Sequence, residues 1–178
     1  MGRGTIEAKN LDLVPYRPVD LLALIEGAAE FRSFFGFPAA DGLREFLLGP
    51  EVAADYVDML RSSSEQDIWR HGFALVERDS KYVIGNVAFV GPPDESGEVE
   101  IAYAVVPAFE GRGYATLAAA AITDFAFSDS RVRIVLAHTL PEENASTSVL
   151  KKNGFKFTGE IEHPHDGLIW RWEKARKV

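Results

Sequence analysis

Val99-Glu100-Ile101-Ala102-Tyr103-Ala104-Val105-Val106-Pro107 runs into Ala108-Phe109-Glu110-Gly111-Arg112-Gly113-Tyr114-Ala115, and then into an alanine-rich apolar stretch. The alternation of the first segment reads as a strand. It places Val99, Ile101 and Tyr103 on one face and Glu98, Glu100 and Ala102 on the other. The strand ends in a Gly-Arg-Gly turn from which a helix starts directly. Such a turn aims successive backbone N–H groups, and the positive end of the helix dipole, at a single anion. Glycine suits it because the backbone needs positive φ and a ligand must approach without a Cβ in the way. The adjacent apolar pair Val105-Val106 breaks the alternation, which fits either a strand buried on both faces or a β-bulge.

A second stretch, Pro141-Glu142-Glu143-Asn144-Ala145-Ser146-Thr147-Ser148-Val149-Leu150-Lys151-Lys152-Asn153-Gly154-Phe155, follows a buried strand at residues 133–137. Together the two stretches resemble the GNAT superfamily of acetyl-CoA-dependent N-acetyltransferases, and within it the ribosomal-protein N-terminal acetyltransferases (RimJ/RimL-like). There the pyrophosphate turn reads Gln/Arg-x-x-Gly-x-Gly/Ala, and a later helix ends in Lys-x-Gly-Phe. The resemblance covers residues 69–172 well and the first third only by position. It implies an α/β fold with a mixed, largely antiparallel central sheet flanked by helices, a single acetyltransferase domain over residues 1–178, and acetyl-CoA as co-substrate.

The site residues follow from that resemblance. Gly111, Arg112, Gly113, Tyr114 and Ala115 would take the pyrophosphate, with Arg112 adding charge from outside. Val105 and Val106 lie where the family's strand bulges and admits the pantetheine arm. Glu100 is the expected general base, since an amine arrives protonated at neutral pH and a carboxylate must remove the proton; Glu98, on the same face, is the second choice. Ser146 aligns with the serine that serves the departing thiolate. Asn144 is a cofactor-binding candidate one residue out of step with the family's asparagine, whose place Glu143 takes. Glu110 likewise stands where the family has Gln or Arg. These two acids keep open a module that binds acyl-CoA without transferring the acyl group. A nucleotide-binding regulator would need Lys-Ser/Thr after the turn, and Tyr114-Ala115 is not that.

Bulk properties narrow the field. The chain has 178 residues, 47% hydrophobic and 26% charged, enough for a substantial core. With no cysteine, thiolate nucleophiles and Cys-ligated zinc are excluded. A net charge of −8 argues against nucleic acid as the main partner and suits a cationic acceptor amine. No apolar run is long enough for a bilayer and no signal-peptide pattern opens the chain, so no membrane partner is expected and the cytoplasm is the expected location. The four histidines include His163 and His165 beside Asp166, but no third ligand is spaced to complete a site, and no metal is expected. His138 either lines the cleft or is satisfied within the fold. The acceptor's identity is not encoded in a motif; a peptide N-terminus is slightly preferred over a small amine, and a homodimer is allowed.

The remaining pattern predicts a strand at 11–14, a helix over 19–35, a second over 42–61 broken at Gly49-Pro50, and strands at 73–76 and 82–90. A helix over 114–127 would bury Leu117, Ala118, Ala121, Ile122 and Phe125. A further helix would open at Pro141 and close at Asn153-Gly154, before strands at 155–161 and 168–172.

Overall fold

The structure is a computed structural model, and it describes residues 4–49 and 52–177. Eight strands form one sheet in the order β1-β2-β3-β4-β5-β6-β8-β7. They are β1 (Ile6–Ala8), β2 (Leu11–Pro15), β3 (Phe73–Glu77), β4 (Val83–Phe89), β5 (Glu98–Val105), β6 (Ile134–Thr139), β7 (Lys156–His163) and β8 (Gly167–Ala175). Every neighbouring pair is antiparallel except β5 and β6, which run parallel. This is the mixed, largely antiparallel sheet that the sequence predicts.

Among the described residues, seven α-helices join the strands: α1 (Pro18–Glu26), α2 (Ala28–Phe35), α3 (Leu43–Leu48), α4 (Ala54–Ser62), α5 (Ile68–His71), α6 (Tyr114–Ser128) and α7 (Ala145–Lys152). The helix expected over 19–35 is two, because Gly27 takes φ 151°, a conformation open essentially to glycine. The segment 42–61 also divides. Gly49 caps α3 at φ 70°, while Pro50 lies outside the described residues. The strand β1 and the short helix α5 were not anticipated. Both are too short to show a period.

The helix after the Gly-Arg-Gly turn buries Tyr114, Ala118, Ala119, Ile122, Thr123 and Ala126. The stripe is therefore rotated from the expected one, and Leu117, Ala121 and Phe125 are only partly buried. Alanines 118, 119 and 126 have nothing to fold away, so α6 sits close to the sheet, while Phe125 reaches sideways to the rings of Phe73 and Phe89. Phe31 and Phe35 of α2 pack with Tyr16 as an aromatic part of the same core.

The expected bulge in β5 is absent. Its ladder with β4 runs from Gly85↔Val105 to Phe89↔Ile101 without a shift. Val106 is fully buried beyond the strand's end, where its N–H donates to Ile84 O at 2.8 Å. A Cβ at Gly85 would collide with the carbonyl oxygen of Ala104, so glycine is what lets β4 lie against this end of β5. The opening comes from the other side. The β5–β6 ladder covers only Glu98↔Ile134, Val99↔Val135 and Glu100↔Leu136, and beyond that rung the two strands part.

Candidate active site

The cleft lies where β5 and β6 part. It measures about 460 Å³ and is walled by the end of β5, the turn before α6 and the first turn of α7, with Phe46 of α3 reaching its edge. Gly111 and Gly113 adopt φ of 72° and 83°, and an added Cβ at either would meet nothing within 4 Å. Both α-carbons therefore border open space. Leu117 is the first residue of α6 whose N–H finds a carbonyl, that of Gly113. Among the described residues, the six preceding N–H groups, residues 111–116, have no protein acceptor. An array of unpaired donors at a helix start fits an anion such as a pyrophosphate.

The turn is fixed from behind. Glu77 is buried and accepts from Asp79 N at 3.1 Å and Ser80 N at 2.7 Å. Burial, followed by the Glu77 charge, pushes the Tyr114 phenol up, so the ring is a neutral anchor for the first residue of α6. Gly111, Gly113, Tyr114, Ala115 and Val105 all line the cleft. Val106 is fully buried and does not line it. Arg112 folds back over the Phe109 ring, 5.0 Å from its centroid, and donates to Ala108 O.

The helix expected to open at Pro141 begins four residues later. Asn144 is its N-cap: Oδ1 accepts from Thr147 N at 3.1 Å, and Thr147 Oγ1 accepts from Asn144 N at 2.9 Å. That reciprocal pair outcompetes the Pro-Glu-Glu start, because it satisfies orphan donors at both positions. Asn144 does not line the cleft. Ser146, in the first turn, does line it, and its hydroxyl has no partner among the described residues. Glu143 is neutralised by Lys151, whose Nζ lies 2.7 Å from both carboxylate oxygens. Lys151 is therefore not free to attract an anion, and Lys152 is the lysine that lines the cleft. Glu110 lies exposed at the cleft with no ion-pair partner among the described residues.

Sequence reasoning missed Tyr103. Its hydroxyl donates to Ser146 O at 3.2 Å and lines the cleft, and burial pushes its pKa up to about 12. Alternation places it only on one face of the strand with Val99 and Ile101. The carboxylates Glu98 and Glu100 are both half-buried on the opposite face of β5. Glu98 Oε2 bonds Arg171 Nη2 at 2.9 Å, and Glu100 Oε1 lies 2.8 Å from His138 Nδ1. Ala102, next on that face, is exposed, so small side chains leave the sheet surface beside Glu100 open. Among the described residues no group of three or more His, Asp or Glu is placed to hold a metal, and His163 Nδ1 pairs with Asp166 at 3.0 Å. No helix of the described residues is long and apolar enough to cross a membrane.

A family model described as Acetyltransferase (GNAT) domain matches residues 10–156. The chain is 31% identical over 81 residues to the uncharacterized N-acetyltransferase YjdG of Bacillus subtilis, covering 46% of this chain and 48% of that protein. It thus spans about half the length of the curated relatives it matches first. Among solved structures it is similar to RimL, a ribosomal L7/L12 α-N-protein acetyltransferase in complex with coenzyme A. That match has TM-score 0.69 and 12% identity, over 96% of this chain and 97% of that one. It is also similar to the ribosomal-protein-S5-alanine acetyltransferase of Vibrio fischeri, with TM-score 0.67, 14% identity and 96% coverage of both chains. At such identities these two likenesses speak for the fold.

Proposed function

Because the chain belongs to the GNAT acetyltransferase family, we propose that it moves the acetyl group of acetyl-CoA to a primary amine, with a peptide or protein N-terminus preferred over a small amine. The observation that carries this reading is the run of unpaired N–H groups at residues 111–116 beside the gap between β5 and β6. The donors suit the pyrophosphate, and the gap admits an extended thioester arm towards the Glu100 face. Arg112 and Lys152 supply charge at the mouth. Two structural neighbours are named for ribosomal proteins, one of them as an α-N-protein acetyltransferase, which supports the preferred acceptor.

The chemistry divides between the two faces of β5. On the open face, the hydrogen-bonded Glu100–His138 pair takes a proton from the ammonium, and the freed lone pair attacks the thioester carbonyl. On the other face, the Ser146 hydroxyl stands at the leaving group, where it donates to the sulfur as the C–S bond breaks. Tyr103 ties the start of α7 to β5 and so fixes the distance between the two groups. An acceptor screen with thiol-release detection, covering N-terminal peptides, polyamines, amino acids and aminoglycosides, tests the reading. Release with a peptide N-terminus supports it in full. Acetyl-CoA binding with no release on any amine overturns the transfer.

A further inference from the structure

The sheet face that carries Glu100 holds four more ionisable side chains in reach of one another. Leu136 stands opposite Glu100, and His138 lies two residues further along the same face of β6. Across β8, Arg171 stands opposite His138 and Glu173 opposite Leu136. Arg171 is fully engaged: Nη2 bonds Glu98 at 2.9 Å and Nε bonds Glu173 at 2.6 Å. Its charge is therefore not available to Glu100. Among the described residues, the side chain that bonds Glu100 is His138, at 2.8 Å.

A carboxylate can only accept a hydrogen bond, so the proton in this contact sits on Nδ1 of the imidazole. The neutral ring then carries its lone pair on Nε2, and no described residue donates to that atom. His138 also lies past the last paired rung of β5 and β6, where the strands part, and its side chain is 23% exposed. A carboxylate behind one ring nitrogen, with the other nitrogen free at an opening, is the arrangement that orients an imidazole as a base.

We infer that His138 Nε2 is the atom that receives the acceptor's proton, and that Glu100 is a positioning residue that fixes the ring's tautomer. This rests on the acetyl-transfer reading above. Nε2 takes one proton from the ammonium, and the imidazolium so formed is balanced by the Glu100 carboxylate. The freed nitrogen pair forms the N–C bond while the C–S pair leaves with sulfur. The second N–H proton passes to that sulfur through the Ser146 hydroxyl or water, and the imidazolium returns its proton to solvent.

Nitrogen-15 NMR of the histidine rings tests the tautomer without turnover. The expected signature is a protonated Nδ1 and a bare Nε2 for His138, lost in Glu100→Gln. A proton on Nε2 in the wild type overturns the inference. The kinetic arm uses His138→Asn, whose amide keeps an N–H toward Glu100 but has nothing in place of Nε2. With an acceptor found in the amine screen, its kcat is expected to fall about 10²-fold with unchanged acetyl-CoA affinity by calorimetry. Adding Glu100→Gln to His138→Asn is expected to cost less than about threefold more, because the carboxylate acts through the ring. A kcat for His138→Asn within about threefold of wild type returns the base to Glu100 and overturns this inference alone. If no amine reacts, the transfer reading falls and this inference falls with it.

Discussion

At the scale of single residues, the proposed transfer puts proton removal and proton delivery on opposite faces of one strand. The Glu100–His138 pair stands on the open face, and Ser146 with Tyr103 on the other. Glu100→Gln is expected to lower kcat about 10²-fold or more near neutral pH. The loss should shrink as pH approaches the acceptor amine's own pKa, because a growing fraction of the amine then arrives neutral. A pH–rate profile checks this, and a loss equal at all pH values would assign Glu100 to substrate positioning. Ser146→Ala should reduce kcat more than it weakens acetyl-CoA binding, since negative charge develops on sulfur only during reaction. Equal losses in kcat and in calorimetric affinity would make Ser146 a binding contact. Glu100 and Ser146 could be named as candidates from the sequence because each sits in a stretch that resembles the family's motifs. Tyr103 and the His138 contact could not, since strand register and the direction of a phenol are tertiary facts that alternation does not encode.

At the scale of elements, the anion site depends on where α6 and α7 begin. The start of α6 was readable because glycine at positive φ leaves a sequence mark. The start of α7 was misread because Pro141 with two acids is a respectable helix opening, and only the bonds show that the Asn144–Thr147 exchange wins. Gly113→Val forces a β-branched residue into φ 83° and puts a side chain where the anion would lie, at a cost of about 1–2 kcal/mol in backbone strain. The expected result is a folded protein by circular dichroism that no longer binds acetyl-CoA by calorimetry; unchanged affinity would remove the turn from the site. Glu77 gives a pH test of the anchor behind it. Hydrogen bonds from Ser80, first of all, hold its carboxyl below the usual glutamate range. Its stabilising effect is thus complete above the unfolded-chain pKa of about 4.3 and is lost as pH falls through the lower folded value. The Tm difference between wild type and Glu77→Gln should be widest near neutral pH and close in stronger acid. A gap that widens in acid would contradict the assigned sign.

At the scale of the whole molecule, the proposed transfer asks a chain with a net charge of −8 to bring together a polyanion and a cation. The charges are sorted only in part. Lys152 lines the cleft and Glu143 is cancelled by Lys151, although Glu110 stands at the cleft too, while Glu30 on α2, Asp41 in the turn before α3 and Glu45 on α3 are exposed. The phenylalanines dense in that region divide too. Phe31 and Phe35 are core, whereas Phe34 and Phe46 are 51% and 44% exposed, and Phe46 reaches the cleft. The sequence carries no motif there, so the acceptor end could be read only as composition; the structure adds an apolar ring beside an acidic surface. Such a surface suits a cationic amine with an apolar neighbour, as at the start of a peptide. An α-amine, with a pKa of about 8, is also easier to deprotonate than a lysine side chain at about 10.4, so a partly exposed base suffices. A competition between a free-N-terminus peptide and its N-blocked, lysine-containing counterpart decides the class. Faster acetylation of the free N-terminus is expected, and the advantage should narrow as pH rises and the lysine loses its proton. Faster acetylation of the blocked peptide would rule out the α-amine, and reaction with small amines alone would move the acceptor away from peptides altogether.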